Sequence, residues 1–189
     1  MNAQIPPAPV VAIVGATGVV GLALIHSLEQ RNFPVGSLRL LASARSAGRN
    51  MSFRGQPIPV HTLNEDSFDG VDIAFFSAGA TISRKFAPIA VTAGAQVIDN
   101  SSAFRMQDDV PLIVPEANGA DLVAAPRIIA NPNCIAAILT TALAPLHQRW
   151  SITRLSMSTY QAASGGGAEM MEELRASTRA QLDGEEFEP

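Results

Sequence analysis

The sequence contains one cysteine, few positive charges and no long apolar run, and each scarcity excludes a class of protein. A single cysteine in 189 residues cannot form a disulfide within the chain, which favours a cytoplasmic protein. The 13 lysines and arginines stand against 17 acidic residues, so we expect no nucleic-acid partner. The apolar runs, such as Val10 to Val14, are too short to cross a bilayer, so we expect no membrane partner. Residues 1–9 carry no basic residue ahead of an apolar segment and predict no signal peptide.

Apolar strand patterns alternate with helical patterns along the chain, whose 47% hydrophobic and 16% charged residues are typical of a globular protein. Strands are predicted at residues 9–14, 38–42, 58–61, 72–77, 96–99, 112–114, 127–130 and 152–161. Helices are predicted at residues 22–32, 83–92, 135–146 and 169–182. This alternation indicates an α/β fold with a Rossmann-type, doubly wound parallel sheet. The last strand and helix are too little for a second core. We therefore expect a first domain over residues 1–133 and, over residues 134–189, the beginning of an incomplete α+β catalytic and dimerisation domain.

A glycine-rich turn separates the first predicted strand from the first predicted helix. The segment Gly15-Ala16-Thr17-Gly18-Val19-Val20-Gly21 offers glycines for a tight turn, for close approach to a pyrophosphate and for close helix packing. The start of the helix adds free N–H groups and a partial positive charge for phosphates. The turn therefore predicts a dinucleotide site over residues 1–133. A glycine-rich turn that binds no ligand is the alternative.

The segment after the second strand indicates which dinucleotide binds. An NAD enzyme commonly places an acidic residue there to hold the ribose 2′-hydroxyl. Residues 42–49 contain no acidic residue, and a 2′-phosphate would accept hydrogen bonds from Ser43, Arg45 and Ser46. The sequence therefore predicts NADP as the cofactor, with a solvated basic loop as the alternative.

The only cysteine, Cys134, follows Asn131-Pro132-Asn133 and begins an apolar helical pattern. N–H groups at the start of a helix stabilise a thiolate, and they can also stabilise an oxyanion when that thiolate attacks a carbonyl. This position predicts a nucleophile. A free cysteine can also be a small buried apolar residue, so position alone leaves both interpretations open.

Six segments occur in the order found in aspartate-semialdehyde dehydrogenases, and because they are spread along the sequence the resemblance extends over nearly the whole chain. They are Gly15 to Gly21, Ala42 to Gly48, Asn100 to Arg105, Val114 to Asn118, Asn131 to Cys134 and Gln161 to Gly165. The chain thus resembles the N-terminal portion of that family. Related N-acetyl-glutamyl-phosphate reductases usually carry glycine before the cysteine, where this chain has Asn133.

The resemblance implies an NADP-dependent, phosphorylating dehydrogenase that works through a cysteine thioester. In that chemistry Cys134 attacks the aldehyde of aspartate 4-semialdehyde, hydride passes to NADP, and inorganic phosphate cleaves the resulting thioester to aspartyl 4-phosphate. Biosynthesis of lysine, threonine, methionine and diaminopimelate uses the reverse direction. The resemblance also implies a homodimer for the full-length enzyme.

The resemblance assigns roles to further residues. Gln161 matches a glutamine that positions the substrate beside Cys134, and Arg105 and Asn133 match residues that hold phosphate or the acyl phosphate. The segment Ser164-Gly165-Gly166 matches a loop near the nicotinamide, although the family usually alternates small residues with glycine there. From the residues alone, Arg105 would equally suit a solvated surface and Gln161 a structural amide. No metal site is expected.

The family mechanism also needs a histidine acid/base and substrate-binding residues from a later part of the chain. His26, His61 and His147 do not match that histidine and are predicted to be structural or surface residues. Because general acid/base catalysis supplies about 10²–10⁴-fold, we expect this chain alone to have little or no dehydrogenase activity. Two alternatives stay open: an enzyme like N-acetyl-glutamyl-phosphate reductase, and a non-catalytic NADP-binding fragment.

Overall fold

A computed structural model describes residues 5–122 and 126–188 and contains a seven-stranded sheet. The strands are β1 (Val10–Val14), β2 (Ser37–Ala42), β3 (Asn50–Phe53), β4 (Gln56–Thr62), β5 (Ile73–Phe76), β6 (Gln96–Asp99) and β7 (Ile128–Ala130). Their order is β3-β4-β2-β1-β5-β6-β7, with only the β3–β4 pair antiparallel. From the central β1 the chain winds outward first to one side and then to the other. This arrangement confirms the predicted doubly wound α/β sheet.

Four helices lie where the apolar periodicity predicts them, and a fifth, α3, is a short addition. They are α1 (Val19–Gln30), α2 (Ala80–Thr92), α3 (Pro115–Asn118), α4 (Cys134–Trp150) and α5 (Gly167–Asp183). Three 3-10 turns span Glu65–Phe68, Gly119–Asp121 and Ala163–Gly166. Helix α2 ends in a left-handed glycine cap, in which Gly94 has φ +102° and donates to Val91 O, while Ala95 donates to Ala90 O.

The core lies on both faces of β1, whose side chains alternate between two clusters. Val11 and Ile13 pack with residues of α1, β2 and β4, while Ala12 and Val14 pack with residues of α2, β5 and β6. All four are fully buried. A strand covered on both faces needs a continuous apolar sequence, which explains the unbroken run in β1.

Two predicted strands differ from the structure, and one observed strand was not predicted. Residues 151–162 contain no helix or strand, so the predicted strand at 152–161 is wrong. Alternating apolar residues stabilise a strand only when a neighbouring strand pairs with its backbone, and none of the described strands does so. At 112–114 the predicted strand is reduced to a single bridge between Leu112 and Ala130. Conversely, the strand predicted at residues 58–61 lies within β4, but β3 and its pairing with β4 were not foreseen, because Pro57 and Pro59 in β4 weaken the pattern that would indicate a hairpin.

The chain divides into two compact units, Met1–Arg154 and Leu155–Pro189. The second unit contains the turn Ala163–Gly166 and α5, whose exposed ion pairs join Arg175 to Glu172 and Arg179 to Asp183. Compactness does not define a functional domain, so the division at residues 133 and 134 stays a prediction. Across residues 5–122 and 126–188, no helix has the length and apolar character needed to span a bilayer.

Candidate functional site

A cleft of about 460 Å³ opens at the carboxyl ends of β1, β2, β4 and β5. Six of its lining residues belong to the predicted dinucleotide site: Gly15, Thr17, Gly18, Ser43, Arg45 and Ser46. The other lining residues are Val14, Ala42, Ala44, Thr62, Leu63, Ser77, Ala78, Ile82 and Phe86. Ligands of doubly wound sheets bind in the crevice beside the strand where the winding direction reverses, which is β1 here. The cleft is therefore the site that the fold would use for a dinucleotide.

The glycine turn is compact at two of its three glycines. Gly15 has φ +87°, and a Cβ there would lie 2.9 Å from the carbonyl carbon of Ser77. A Cβ at Gly21 would overlap the carbonyl oxygen of Gly15 and the backbone of Ala16. Gly18 is the N-cap of α1 and has more room. Gly15 and Gly21 thus allow the strand, the turn and the helix to approach each other closely, as the sequence predicts.

The remaining residues of the glycine segment have different surroundings. Ala16 is fully buried and its N–H donates to Leu41 O at 3.1 Å, which ties the turn to β2. Val19 and Val20 are exposed in the first turn of α1 and do not line the cleft. Their cofactor contacts stay a prediction that rests on the backbone N–H groups of a helix N-terminus.

The loop after β2 forms one wall of the cleft. Ser46 N and Ala47 N both donate to Ser43 O, at 2.9 and 3.2 Å, so the loop turns back on itself. Arg45 lies at this turn and is exposed. No carboxylate occurs among the described residues that line the cleft. The wall thus presents hydroxyl and guanidinium donors without a competing negative charge.

Cys134 is exposed and is the first residue of α4. Asn133 is the N-cap, and its side-chain oxygen accepts a hydrogen bond of 3.0 Å from Ile135 N. The thiol is therefore accessible to a reagent and lies beside the N–H groups that begin a helix. In this chain Cys134 is therefore not a buried residue, and its role as a nucleophile stays a prediction.

Arg105 joins the loops that follow β6 and β7. Its Nε donates to Asn131 O at 2.9 Å and its Nη2 donates to Asn100 O at 3.0 Å. The side chains of Asn131 and Asn100 are also hydrogen-bonded to each other. The structure thus holds a half-buried guanidinium against the segment that leads, three residues later, to Cys134. Two of its five donors are used in this way, and the others form no hydrogen bond to the described residues.

The predicted residues of the second unit are partly brought together. Gln161 is exposed, and its amide nitrogen lies so close to Gly165 that a Cβ at Gly165 would overlap it. Ser164, Gly165 and Gly166 form the turn Ala163–Gly166, which leads directly into α5. The small size of Gly165 is therefore needed for its contact with Gln161. The roles of these residues toward substrate and nicotinamide stay predictions.

The three histidines lie in the elements that the sequence predicts. His26 is in α1, His61 in β4 and His147 in α4, and all three are exposed. His147 is 13 residues beyond Cys134 in the same helix, which corresponds to about 20 Å. Among the described residues, no group of three His, Cys, Asp or Glu residues has the geometry of a metal site.

Two protein families match the chain. Residues 10–125 match "semialdehyde dehydrogenase, NAD binding domain", a range that contains the glycine turn, the wall loop and Arg105. Residues 143–189 match "semialdehyde dehydrogenase, dimerisation domain". The first match covers the sheet that builds the cleft. The second agrees with the prediction that another domain begins within the chain.

Individual relatives agree with this assignment. The chain is 50% identical over 179 residues to aspartate-semialdehyde dehydrogenase of Bacillus subtilis (strain 168), which covers 95% of this chain and 52% of the relative. It is also 50% identical to the Aquifex aeolicus (strain VF5) protein of the same name, over 94% of this chain and 53% of the relative. The crystal structure of aspartate semialdehyde dehydrogenase II complexed with ASA from Vibrio cholerae superimposes with a TM-score of 0.93 at 42% identity, over 97% of this chain and 55% of that one.

The chain spans about half the length of the curated relatives that it matches. The family match nevertheless covers more than half of the chain and includes the nucleotide cleft. The relatives agree with it in sequence and in fold. The chain therefore belongs to the semialdehyde dehydrogenase family.

Proposed function

We propose that this chain is the nucleotide-binding and thiol-bearing portion of an NADP-dependent, phosphorylating aspartate-semialdehyde dehydrogenase. The observation that carries the proposal is the exposed Cys134 at the start of α4, adjacent in sequence to the segment that Arg105 holds. A thiol at a helix start and a guanidinium with free donors form the minimal set for thioester chemistry with phosphate. The names of the relatives in Bacillus and Aquifex support the substrate assignment.

The cleft fits a nicotinamide dinucleotide, and its wall favours NADP over NAD. Gly15 and Gly18 leave the backbone open at the start of α1, where a pyrophosphate would bind. Arg45 and its neighbouring serines would donate to a 2′-phosphate, which a carboxylate would repel. A Candida albicans aspartate semialdehyde dehydrogenase was solved with NADP and resembles this chain with a TM-score of 0.66 at 25% identity, over 77% of this chain and 48% of that one. When bound, NADP supplies a hydride acceptor.

Cys134 would supply the nucleophile. Its sulfur would form a bond to the aldehyde carbon while the carbonyl oxygen becomes an oxyanion, and the N–H groups at the start of α4 would stabilise both thiolate and oxyanion. Asn133 keeps this first turn helical by accepting from Ile135 N. Oxidation of the adduct leaves a thioester at Cys134.

Arg105 would bind the phosphate that cleaves the thioester. Its two hydrogen bonds to backbone carbonyls fix the plane of the guanidinium, and its remaining donors suit phosphate oxygens. Phosphate oxygen then bonds to the acyl carbon, the carbon–sulfur bond breaks, and aspartyl 4-phosphate leaves the thiolate of Cys134. Gln161 is proposed to orient the substrate, and Ser164, Gly165 and Gly166 to contact the nicotinamide end of the cofactor.

The match of residues 143–189 to a dimerisation domain supports a homodimer for the whole enzyme, with residues 134–189 contributing to its catalytic and dimerisation domain. We also infer a cytoplasmic location from the lack of a second cysteine.

The 189-residue chain itself tests the proposal by three measurements. Fluorescence titration should show binding of NADPH in preference to NADH. Iodoacetamide should alkylate Cys134 faster than an unstructured cysteine peptide does, and inorganic phosphate should slow that reaction. Turnover with aspartate 4-semialdehyde, NADP and phosphate should be very low, because the matched acid/base histidine is not in this chain. An inert thiol in a chain that still binds NADPH would indicate a nucleotide-binding fragment. Turnover typical of a whole enzyme would contradict the expectation that this chain alone is almost inactive.

A further inference from the structure

Asp99 is a buried carboxylate that the proposed chemistry does not use. It is the last residue of β6 and is fully buried. Ser83 Oγ donates to its Oδ1 at 2.6 Å, and Ser101 Oγ donates to its Oδ2 at 2.7 Å. Both serines are themselves buried, at 0% and 8% exposure. Burial of a carboxylate is costly, so this residue is retained against a free-energy penalty that its hydrogen bonds offset.

The two serines belong to different parts of the candidate site. Ser83 lies in the first turns of α2, beside Ile82, which lines the nucleotide cleft. Ser101 lies in the loop that ends at Arg105, and its Oγ also accepts from Ala103 N at 3.0 Å. One carboxylate therefore connects a wall of the nucleotide cleft to the loop that carries the guanidinium.

The backbone of Asp99 makes a third connection. Its carbonyl oxygen accepts from Asn131 N at 2.8 Å, and Asn131 O in turn accepts from Arg105 Nε. Asn131 begins the short segment that ends at Cys134. Three acceptors of one residue thus meet donors from three segments, which are α2, the loop 100–105 and the segment 131–134.

We propose that Asp99 is a positioning residue that sets the nucleotide wall, the Arg105 loop and the segment before Cys134 relative to one another. This proposal rests on the proposed function, because NADPH binding and phosphate protection of Cys134 report on these segments only if that function holds. A carboxylate only accepts hydrogen bonds, so it requires both serine hydroxyls to donate and fixes their directions. An asparagine side chain would occupy about the same volume, but its NH2 group would donate a hydrogen bond, so one of the two serines would accept instead of donate. The carboxylate therefore specifies one arrangement of the three segments.

Single hydroxyl deletions in the 189-residue chain separate the two side-chain connections. Ser101→Ala should weaken the protection of Cys134 from iodoacetamide by inorganic phosphate about 3- to 10-fold, with NADPH affinity unchanged. Ser83→Ala should weaken NADPH binding by a similar factor and leave phosphate protection unchanged. Asp99→Asn should reduce both. Thr81→Ala, which removes an exposed hydroxyl from the same turn of α2, is the control and should change neither.

Hydrogen exchange followed by mass spectrometry tests the positioning role without any ligand. Asp99→Asn keeps the backbone bond to Asn131 but alters both serine contacts, so it should speed exchange in residues 79–83 and 100–105 together, whereas Ser101→Ala should do so only in 100–105. If the wild type binds neither NADPH nor phosphate, the proposed function fails, and these exchange rates still decide the role of Asp99. A merely structural role predicts that Ser83→Ala and Ser101→Ala each lower the melting temperature and reduce both ligand readouts equally. That result, or faster exchange confined to the loop 100–105 in Asp99→Asn, would overturn the proposal.

Discussion

Strand β1 and helix α4 are both strongly apolar in sequence, yet only β1 is buried. Val11 to Val14 have no exposed surface, whereas α4 has no buried residue, and its Ile138 is 72% exposed. An apolar pattern specifies what kind of element forms, but the neighbours of that element decide how much surface leaves water. The nucleotide cleft therefore rests on a packed scaffold, and the thiol begins a helix whose side chains are exposed or only half-buried.

The largest expected effect compares one substitution in the two elements. Ile13→Ala should lower the free energy of unfolding by about 2–5 kcal/mol, because it leaves a cavity among Ile25, Leu40 and Val60. Ile138→Ala should change it by less than about 0.5 kcal/mol, because most of that side chain is already in water. Urea denaturation of both variants gives the comparison. Equal losses would show that α4 is packed in solution and would remove the contrast between the two regions.

The next largest effect tests the packing of the glycine turn. Gly21→Ala places a methyl group against the Gly15 carbonyl oxygen, and the overlap should cost about 1–3 kcal/mol and reduce NADPH affinity. Gly119→Ala is the matched control, since no atom of residues 5–122 and 126–188 lies within 4 Å of the added Cβ there. Thermal melts and NADPH titrations measure both properties. If Gly21→Ala binds NADPH like the wild type, the close approach of turn and helix is not required.

The elements that depend on local pattern were predictable from the sequence. The glycine turn, the buried β1 and the start of α4 at Cys134 each have a signal within a few adjacent residues. The far wall of the cleft was missed, since Leu63, Ile82 and Phe86 reach it from segments distant in sequence. Ser77 and Ala78 had a usable signal, because Ser77 ends the buried strand predicted at residues 72–77 and Ala78 follows it at the carboxyl edge of the sheet.

Other features required knowledge of neighbouring segments. The buried serine contacts of Asp99 join residues 16 and 2 positions away, and no pattern in the sequence distinguishes Asp99 from an exposed carboxylate. The predicted strand at 152–161 was wrong because its alternating pattern has no partner strand among the described residues. Periodicity reports a preference of the segment, whereas pairing and burial depend on the rest of the fold.

Arg45 allows a test of the exposed wall of the cleft, where the expected effect is smaller. Arg45→Ala should weaken NADPH binding about tenfold and leave NADH binding unchanged, because only NADPH carries the 2′-phosphate. Arg49→Ala removes a nearby exposed arginine that does not line the cleft and should change neither affinity. Competition titrations at fixed ionic strength give both constants. Equal losses of NADPH affinity and NADH affinity would indicate that Arg45 attracts phosphate groups in general. The NADP preference would then be unexplained.

The smallest effect concerns Asn133 and asks whether the thiol depends on the cap of its own helix. Asn133→Ala removes the acceptor for Ile135 N and should destabilise the first turn of α4 by about 1 kcal/mol, slowing alkylation of Cys134 a few-fold. Asn133→Ser keeps a capping oxygen and should restore the alkylation rate. It does not restore the amide N–H groups, so phosphate protection of Cys134 should remain weak if those groups bind phosphate as the family resemblance implies. If Asn133→Ser recovers both the alkylation rate and the phosphate protection, Asn133 acts only as the helix cap. Because α4 has no buried residue, any loss of reactivity in these variants acts through the helix start and not through a disturbed core.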